Sequence, residues 1–416
     1  MEKWKSREVS SKFTTLIVLA LAVPPVFWTR VPAQQAESPL ALVGCRVYTA
    51  PHAIPIDNAV VLVEDGRIAA VGRLSEHPIP PAATQIECAG AIVTAGFQNS
   101  HVHFTPPGWT ADSTASNVDV TGQLQAMLTR WGFTTVVDTG SDPATTGVLR
   151  KRIATGDVPG PRILTAGVPL YPPHGVPYYV RDSVPAETLK LLAQPATADE
   201  AAALVRDPQT DRDVIKLFAG SWVTRNRVLP MPEEIAAAAV REAHADRKLV
   251  FAHPSNVTGL EVALKAGVDV LAHAVEDTDG FAPAHRERMR GQNVAVIPTL
   301  KLFQGKRNVV DWVRDHARGG GEILFGTDVG YLTDFDPTDE YAFMAAAGMD
   351  YRAILAALTT APARRFGEEA RRGRVTAGQD GDLVILGTDP ALDTRAFADV
   401  RYTIRGGQVI YASRAR

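Results

Sequence analysis

Short apolar runs alternate with amphipathic segments along most of the chain. Eight runs rich in Val, Ile, Leu and Phe follow one another: AIVTAGFQNSHVHF, FTTVVDTG, RILTAG, DVIKLFAG, KLVFAHP, VDVLAHA, VAVIPTL and EILFGTD. Runs that are apolar throughout are typical of parallel strands covered on both faces. The segments between them, such as TGQLQAMLTRWG, ADEAAALVRD and MPEEIAAAAVREAHAD, place apolar residues at helical spacing.

Eight strand–helix units predict an α/β fold, specifically a (β/α)8 TIM barrel. In such barrels the active site lies at the C-terminal ends of the strands, where the loops leading to the helices begin. The residues that close each apolar run are therefore the first candidates for chemistry.

The two ends of the barrel region are flanked by short strands separated by turns. Asp65-Gly66, between VVLVE and RIAAVG, is a strong hairpin signal, and Gly406-Gly407 takes the same place within VRYTIRGGQVIYAS. These flanking strands predict a second, smaller β domain.

The first 33 residues have the pattern of a secretory signal peptide. Basic residues precede the apolar stretch FTTLIVLALAVPPVFW, and small residues around Ala33 offer a cleavage point. Export to the periplasm or the medium is expected. The alternative is an uncleaved membrane anchor, but Pro24 and Pro25 leave the apolar run short of the about 20 residues that a span needs.

Composition bounds the partners of the protein. With 45% hydrophobic residues, 21% charged residues and a formal net charge of -3, the chain offers no basic surface for nucleic acid. A small-molecule substrate is expected instead, without stable membrane insertion once the signal is removed, and homo-oligomers are left open. Cys45 and Cys88 are either a disulfide or two separate buried thiols, and the sequence does not decide between them.

The strongest chemical signal is the pair His101 and His103 at the end of the first run. Histidines at i and i+2 project from the same face of a strand and can bind one metal ion. Further candidates close the fourth, fifth, sixth and eighth runs, namely Lys216, His253, His273 and Asp328. Each alone has an ordinary structural explanation, as a hydrogen-bonded core residue or a helix cap. Their joint placement on one barrel face favours a metal site.

This order of residues, together with the motifs GFQNSHVHF, GFTTVVDTG, FGTD and GRVTAGQDGDLVILGTDP, resembles the amidohydrolase superfamily from about residue 40 to the end. Within it the chain is most similar to imidazolonepropionase-like and prolidase-like hydrolases, which include dipeptidases. One departure is Asn99, where many relatives have Asp. That position usually supports the ligands and is not itself a ligand.

The resemblance implies how the chain is organised. Strands from both ends pair into one β-sandwich, formed by residues 34–93 and 369–416, beside a barrel of residues 94–368. It also implies two divalent ions, with His101, His103 and Asp328 on one, His253 and His273 on the other, and a carbamate on Lys216 bridging both. Zn²⁺ suits such ligands best, although manganese, cobalt or iron would be tolerated.

The expected reaction is hydrolysis of a C–N amide bond in a dipeptide, an N-acyl amino acid or a cyclic amide. A hydroxide bridging the ions would attack the carbonyl, and Asp328 would pass the proton to the leaving nitrogen, with assistance from His174. Hydrolysis of esters, lactones or phosphotriesters on the same site is the alternative within enzymes. A metal-binding barrel without catalysis is the alternative outside them.

The substrate is expected to meet residues on loops at the barrel mouth. The longest irregular stretch, GVPLYPPHGVPYYVRDSVPAET, follows the third run, and loops of that length are often lids or binding loops. The substrate-binding candidates from this and neighbouring loops are Tyr178, Arg181, Trp222, Arg225 and Tyr331.

Overall fold

The structure is a computed structural model, which describes residues 38–112, 114–208 and 210–413. Its strands are β1 (Leu40–Val47), β2 (Ile56–Glu64), β3 (Arg67–Arg73), β4 (Thr84–Glu87), β5 (Ile92–Ala95), β6 (Phe97–Val102), β7 (Phe133–Asp138), β8 (Arg162–Thr165), β9 (Ile215–Phe218), β10 (Gly220–Thr224), β11 (Arg227–Pro230), β12 (Val250–His253), β13 (Val270–Ala272), β14 (Ala295–Ile297), β15 (Leu383–Leu386), β16 (Val400–Arg405) and β17 (Gln408–Ala412). The predicted signal peptide lies outside the described residues.

The helices are α1 (Asn117–Met127), α2 (Pro143–Ala154), α3 (Tyr178–Arg181), α4 (Ala186–Leu189), α5 (Ala198–Arg206), α6 (Glu233–Ala245), α7 (Val257–Ala266), α8 (Pro283–Gly291), α9 (Arg307–Arg318), α10 (Thr338–Ala346), α11 (Tyr351–Leu358) and α12 (Thr360–Arg365). Two short 3₁₀ helices span Thr129–Trp131 and Thr394–Ala398. Across the described ranges, no helix has both the length and the apolar character needed to cross a membrane.

Seven of the eight runs predicted as parallel strands are strands. They form one sheet in the order β6-β7-β8 and another in the order β14-β13-β12-β9, with parallel pairing throughout. The register places Lys216 opposite Phe251 and Phe218 opposite His253. Parallel pairing brings the C-terminal ends of these strands to one edge, which is where the candidate ligands lie.

The eighth run, EILFGTD, forms no strand in the described part of the chain. It makes one isolated parallel bridge, Ile323 with Val296 of β14, and Val329, the residue that follows it, makes another with Val102 of β6. Gly326 lies close to both neighbouring strands, because a Cβ atom there would lie 2.3 Å from Ile297 Cγ2 of β14 and 2.9 Å from His101 Cβ of β6. The segment therefore lies between β14 and β6 and forms backbone hydrogen bonds with both, although it is not a regular strand.

The inner faces of the parallel strands pack against one another, while the helices cover the outer faces. The inner cluster contains Val137, Leu164, Ala166, Val214, Phe251, Val270, Ala272, Ala295, Ile297, Leu324 and Ala361. Helix α6 shows how the outer layer forms. It begins after Pro232, has Glu233 and Glu234 in its first turn where acids suit the helix dipole, and buries one face that includes Ile235.

Strands from both ends of the chain form a single eight-stranded sheet. Its order is β17-β16-β15-β5-β1-β2-β3, with β4 also paired to β1, and the antiparallel pair of β5 and β15 joins the two ends. The predicted hairpin is confirmed, because Asp65 and Gly66 both adopt positive φ (48° and 75°) between β2 and β3. The two-layer sandwich and the domain boundaries stay predictions. Cys45 and Cys88 are buried as free thiols.

A buried histidine on α9 makes folding stability depend on pH. The ring of His316 stacks on Trp312 with centroids 5.8 Å apart, and burial lowers the pKa of His316 to about 4. A folded-state pKa below the ordinary 6.5 means that stability is present above pH 6.5 and is lost as the pH falls towards 4. The full loss is about 3 kcal/mol.

His316→Phe is expected to keep the ring stack and to remove the loss of folding stability that protonation of His316 causes at low pH. The free energy of unfolding, measured with urea at pH 7.5 and pH 4.5, should therefore differ less between the two pH values in the variant than in the parent. The exposed His52, changed to Phe, is the matched control. Equal pH dependence of parent and His316→Phe would contradict the assignment.

Candidate metal centre

Three of the predicted ligands form one compact group. The Nε2 atoms of His101 and His103 lie 3.2 Å apart, and they lie 3.3 and 3.0 Å from Oδ1 of Asp328. All three ligand atoms lie within 4.8 Å of one another. His101 and Asp328 are almost completely buried, and the side chain of His103 is 17% exposed. The group therefore opens to solvent on the side of His103.

The chemistry of this group fits a divalent cation. Burial lowers the pKa of His101 to about 3, so its imidazole is neutral and has a lone pair to donate. Burial alone would raise the pKa of Asp328, but the adjacent His101 holds it well below its ordinary value. Oδ1 of Asp328 is buried and faces the Nε2 atoms of both histidines. A metal ion would satisfy a buried carboxylate oxygen that faces two imidazole nitrogens.

Asn99 joins the two segments that supply this group. Its Oδ1 accepts hydrogen bonds from the backbone N–H groups of His101 and Thr327, each at 3.2 Å, and its Nδ2 donates to Thr327 Oγ1 at 2.7 Å. An amide can both donate and accept here, which a carboxylate cannot. Asn99 thus supports the ligands and does not join the ligand group.

A second support was not predicted from the sequence. The Nδ1 atom of His103 lies 2.8 Å from the carbonyl oxygen of Gly140, which orients its Nε2 towards Asp328. Gly140 is held in turn by Asp138, a fully buried carboxylate that accepts its N–H at 3.1 Å and the Ser141 hydroxyl at 2.6 Å. The only indication of this role in the sequence was the position of Asp138 within the motif GFTTVVDTG.

The remaining ligand candidates lie beside this group. The ring centroid of His273 is 4.4 Å from that of His101 and 4.7 Å from that of His253. Burial lowers the pKa values of His253 and His273 well below their ordinary value, so both imidazoles are neutral. His253 also stacks on Phe218, with centroids 4.7 Å apart. The four histidines are thus gathered at the ends of β6, β12 and β13.

Lys216 is buried among these histidines. Its side chain belongs to β9, is 2% exposed and places Nζ 5.5 Å from the ring centre of Phe218. Burial lowers the pKa of Lys216 to about 7, so a substantial fraction of the amine is neutral near neutral pH. Among residues 38–112, 114–208 and 210–413, the charge that acts on this amine is that of Asp328, and no hydrogen bond contributes to its pKa.

Backbone strain is concentrated around the same place. Four residues other than glycine with positive φ adjoin the ligands or are ligands themselves: Ser255 (59°), His273 (128°), Thr299 (44°) and Asp328 (59°). Such conformations are uncommon, and a β-branched residue such as Thr299 adopts them rarely. Strain that persists in a folded protein tends to occur at functional sites, where the surrounding structure enforces it.

A row of aromatic side chains leads away from Asp328. Tyr331 lies 5.6 Å from Tyr179, Tyr179 lies 5.5 Å from Tyr178, and the guanidinium of Arg225 lies 5.4 Å from the ring of Tyr178. Burial raises the pKa of Tyr179 well above its ordinary value, and the charge of Asp328 contributes. Tyr179 was absent from the predicted substrate-binding set, although its neighbours were in it.

The other predicted site residues are not members of this row. Arg181 pairs with Asp182 at 3.4 Å and is half-exposed. Trp222 is half-buried on β10, with an indole N–H that has no partner in the described ranges. His174 is exposed at a position of positive φ (57°), and among the described residues it makes no hydrogen bond or ion pair with the ligands.

Comparison with known proteins shows the family. The family described as the amidohydrolase family matches residues 92–410, most of the chain. A solved Xaa-Pro dipeptidase with bound methionine is similar at 19% identity and TM-score 0.76, covering 90% of this chain and 100% of its own. A solved prolidase complexed with N-methylphosphonate-L-proline is 23% identical with TM-score 0.75, and the match covers 90% of this chain and 100% of the prolidase chain. The A. niger ochratoxinase is 18% identical with TM-score 0.73, and the match covers 90% of this chain and 96% of the ochratoxinase chain.

At these identities the structural similarities concern the fold. The family match concerns the chain itself, and it spans both the histidine pair and the eighth run with Asp328. The protein is a member of the amidohydrolase family of hydrolases.

Proposed function

We propose that this protein is a metal-dependent amidohydrolase that cleaves a C–N amide bond. The observation that carries the proposal is the group of His101, His103 and Asp328, whose three ligand atoms converge in a largely buried site. Family membership supports the choice of an amide over other carbonyl substrates. The solved structures described as a dipeptidase and a prolidase support dipeptides as the class to test first.

We infer that the parallel strands close into a (β/α)8 barrel over residues 94–368, flanked by a β-sandwich of residues 34–93 and 369–416. Support comes from the backbone bonds that the eighth run makes on both sides. Leu324 N–H donates to Val296 O at 2.9 Å, and Ser100 N–H donates to Phe325 O at 2.7 Å. At the opposite junction, Asp213 N–H donates to Thr165 O at 2.8 Å.

In this proposal His101, His103 and Asp328 would hold one ion and His253 and His273 would hold a second. A carbamate on Lys216 would add an anionic ligand, and Zn²⁺ would suit this mixture of nitrogen and oxygen donors. Bound divalent ions lower the pKa of water and polarise a carbonyl oxygen. Fixing the ligand atoms in advance is the contribution of the protein.

The chain's own groups then handle the proton. The carboxylate of Asp328 accepts the proton of the attacking water and delivers it to the leaving nitrogen. Asn99 holds the Asp328 segment against β6 during both steps. Tyr179 and Tyr331 cover the approach and exclude water. His174 is exposed, and its assistance in proton transfer stays a prediction.

Arg225 is the residue we propose for recognition of a substrate carboxylate. Arg181 forms an ion pair with Asp182, whereas the described contact of Arg225 is with the ring of Tyr178. A guanidinium binds a carboxylate through paired, charge-assisted hydrogen bonds. Losing such a contact lowers catalytic efficiency by roughly ten- to a hundredfold.

The test is a panel of Xaa-Pro dipeptides, N-acyl amino acids and their carboxyl-amidated analogues, with lactones and phosphotriesters included. Metal-loaded protein is expected to cleave the free acids, to lose activity with a chelator, and to favour acids over amidated forms by roughly ten- to a hundredfold. Arg225→Met should remove that preference. Arg227→Met is the control, because Arg227 is an exposed arginine two positions away at the start of β11. Turnover of esters or phosphotriesters alone would overturn the amide assignment, and absence of any turnover would favour a non-catalytic barrel.

A further inference from the structure

A buried carboxylate outside the proposed ligand set lies on α10. Glu340 is completely inaccessible to solvent, and its Oε2 accepts the backbone N–H of Lys301 at 2.7 Å. Its Oε1 has no hydrogen-bond partner in the described part of the chain. Burial raises the pKa of Glu340 to about 7, although the N–H groups of Lys301 and Leu300 act to lower it. A carboxyl group in such surroundings needs a structural or functional reason.

The carboxyl group is bound to the turn that follows β14. That turn begins at Thr299, whose φ of 44° is rare for a β-branched residue. Further contacts hold it, among them the bond from Leu302 N–H to Thr299 O at 3.0 Å and the bond from the Lys301 ammonium to Asp336 O at 2.6 Å. Glu340 adds the contact to the middle of the turn. The strained conformation of Thr299 is therefore enforced from several sides.

The turn places the Thr299 hydroxyl on a predicted metal ligand. Thr299 Oγ1 lies 2.8 Å from Nδ1 of His273, and both side chains are buried. When the hydroxyl oxygen accepts a hydrogen bond from Nδ1–H, the nitrogen of His273 that carries the free lone pair is Nε2. A metal-binding histidine is commonly oriented in this way by a partner on its other nitrogen.

We propose that Glu340 is a positioning residue for the metal centre, acting through the turn Thr299–Lys301 to hold the Thr299 hydroxyl on His273 and keep Nε2 free to bind metal. This inference rests on the metal site of the proposed function. The positioning role, however, requires only that the hydrogen bond between Thr299 and His273 is present in the metal-free protein. The positioning role and the proposed function can therefore be tested separately.

The first measurement is the imidazole ¹⁵N spectrum of His273 in the full-length, metal-free protein. The Nδ1–H tautomer is expected in the parent and in two conservative variants. These are Thr299→Ser, which retains the hydroxyl, and Glu340→Gln, which retains an acceptor oxygen. Thr299→Val, which keeps the β-branch but removes the hydroxyl, and Glu340→Leu are expected to show a mixture of tautomers. Asp339→Leu, an exposed acid on the same helix, is the matched control.

The second measurement is Co²⁺ binding followed by absorption spectroscopy. Thr299→Val and Glu340→Leu should bind the ion ligated by His273 about ten- to a hundredfold more weakly, and Thr299→Ser and Glu340→Gln should stay close to the parent. Parent-like tautomer and affinity in Glu340→Leu would overturn the proposal, and the same result in Thr299→Val would remove the hydroxyl from it. If Glu340→Leu does not fold, Glu340→Met, which also lacks the acceptor oxygen, takes its place and decides. A parent that binds no Co²⁺ would overturn the proposed function, while the spectrum still tests the hydrogen bond.

Discussion

Replacing Asp328 by asparagine is expected to lower kcat by about 10²- to 10⁴-fold, the range attributed to a positioned acid or base. The amide keeps the size of the side chain but loses the charge opposite the Nε2 atoms of His101 and His103, which lie 3.3 and 3.0 Å away. It also loses the ability to accept the proton. Steady-state kinetics on the best substrate of the panel, with metal content measured in parallel, gives both effects.

Asp279→Asn is the control for this variant, because Asp279 is an exposed acid on the loop after β13. Its kinetics and metal content should equal those of the parent. If Asp328→Asn retained full turnover and full metal content, neither the ligand role nor the proton-transfer role of Asp328 would stand.

Lys216→Ala is expected to lower activity by more than the roughly 10- to 100-fold typical of residues that only orient a ligand. The reason is that Lys216 is proposed to supply a bridging ligand, and its amine is buried among four histidines without an ion pair in the described ranges. The metal content should fall from about two ions per chain. Added formate or acetate should restore part of the activity by replacing the carbamate oxygens.

Lys265→Ala provides the comparison, since Lys265 lies on α7 and forms a surface ion pair with Glu233. It should behave as the parent with and without added carboxylate. Parent-like activity of Lys216→Ala would remove Lys216 from the site. One ion per chain in the parent would instead indicate a single-metal enzyme, in which a bridging carbamate has no role.

The positions of most strands could be predicted because continuous apolar runs are a local property. Seven runs became β6, β7, β8, β9, β12, β13 and β14, and the ligand candidates at their ends fell at the same edge. EILFGTD has the same composition but is not a strand. Its backbone hydrogen bonds go to β14 and β6, and Asp328 at its end has a positive φ, neither of which can be read from local composition.

The supports of the site could not be predicted, because they are made between distant residues. Asp138 acts on His103 through Gly140, which is 37 positions from the histidine it holds. Thr299 reaches His273 across 26 positions, and Glu340 reaches Lys301 across 39. None of these residues differs, in its local pattern, from an ordinary strand end or helix residue.

By itself the sequence determined the order of strands and helices, the hairpin turns, the family and the set of metal-ligand candidates. Each of these depends on residues near one another in the chain, through hydrophobic period, turn preference or motif spacing. The tertiary structure alone decided which groups orient those ligands, that Tyr179 joins the aromatic row, and that Glu340 is buried behind Thr299. Such contacts depend on which loops and helices meet, and that is set by the packing of the whole chain.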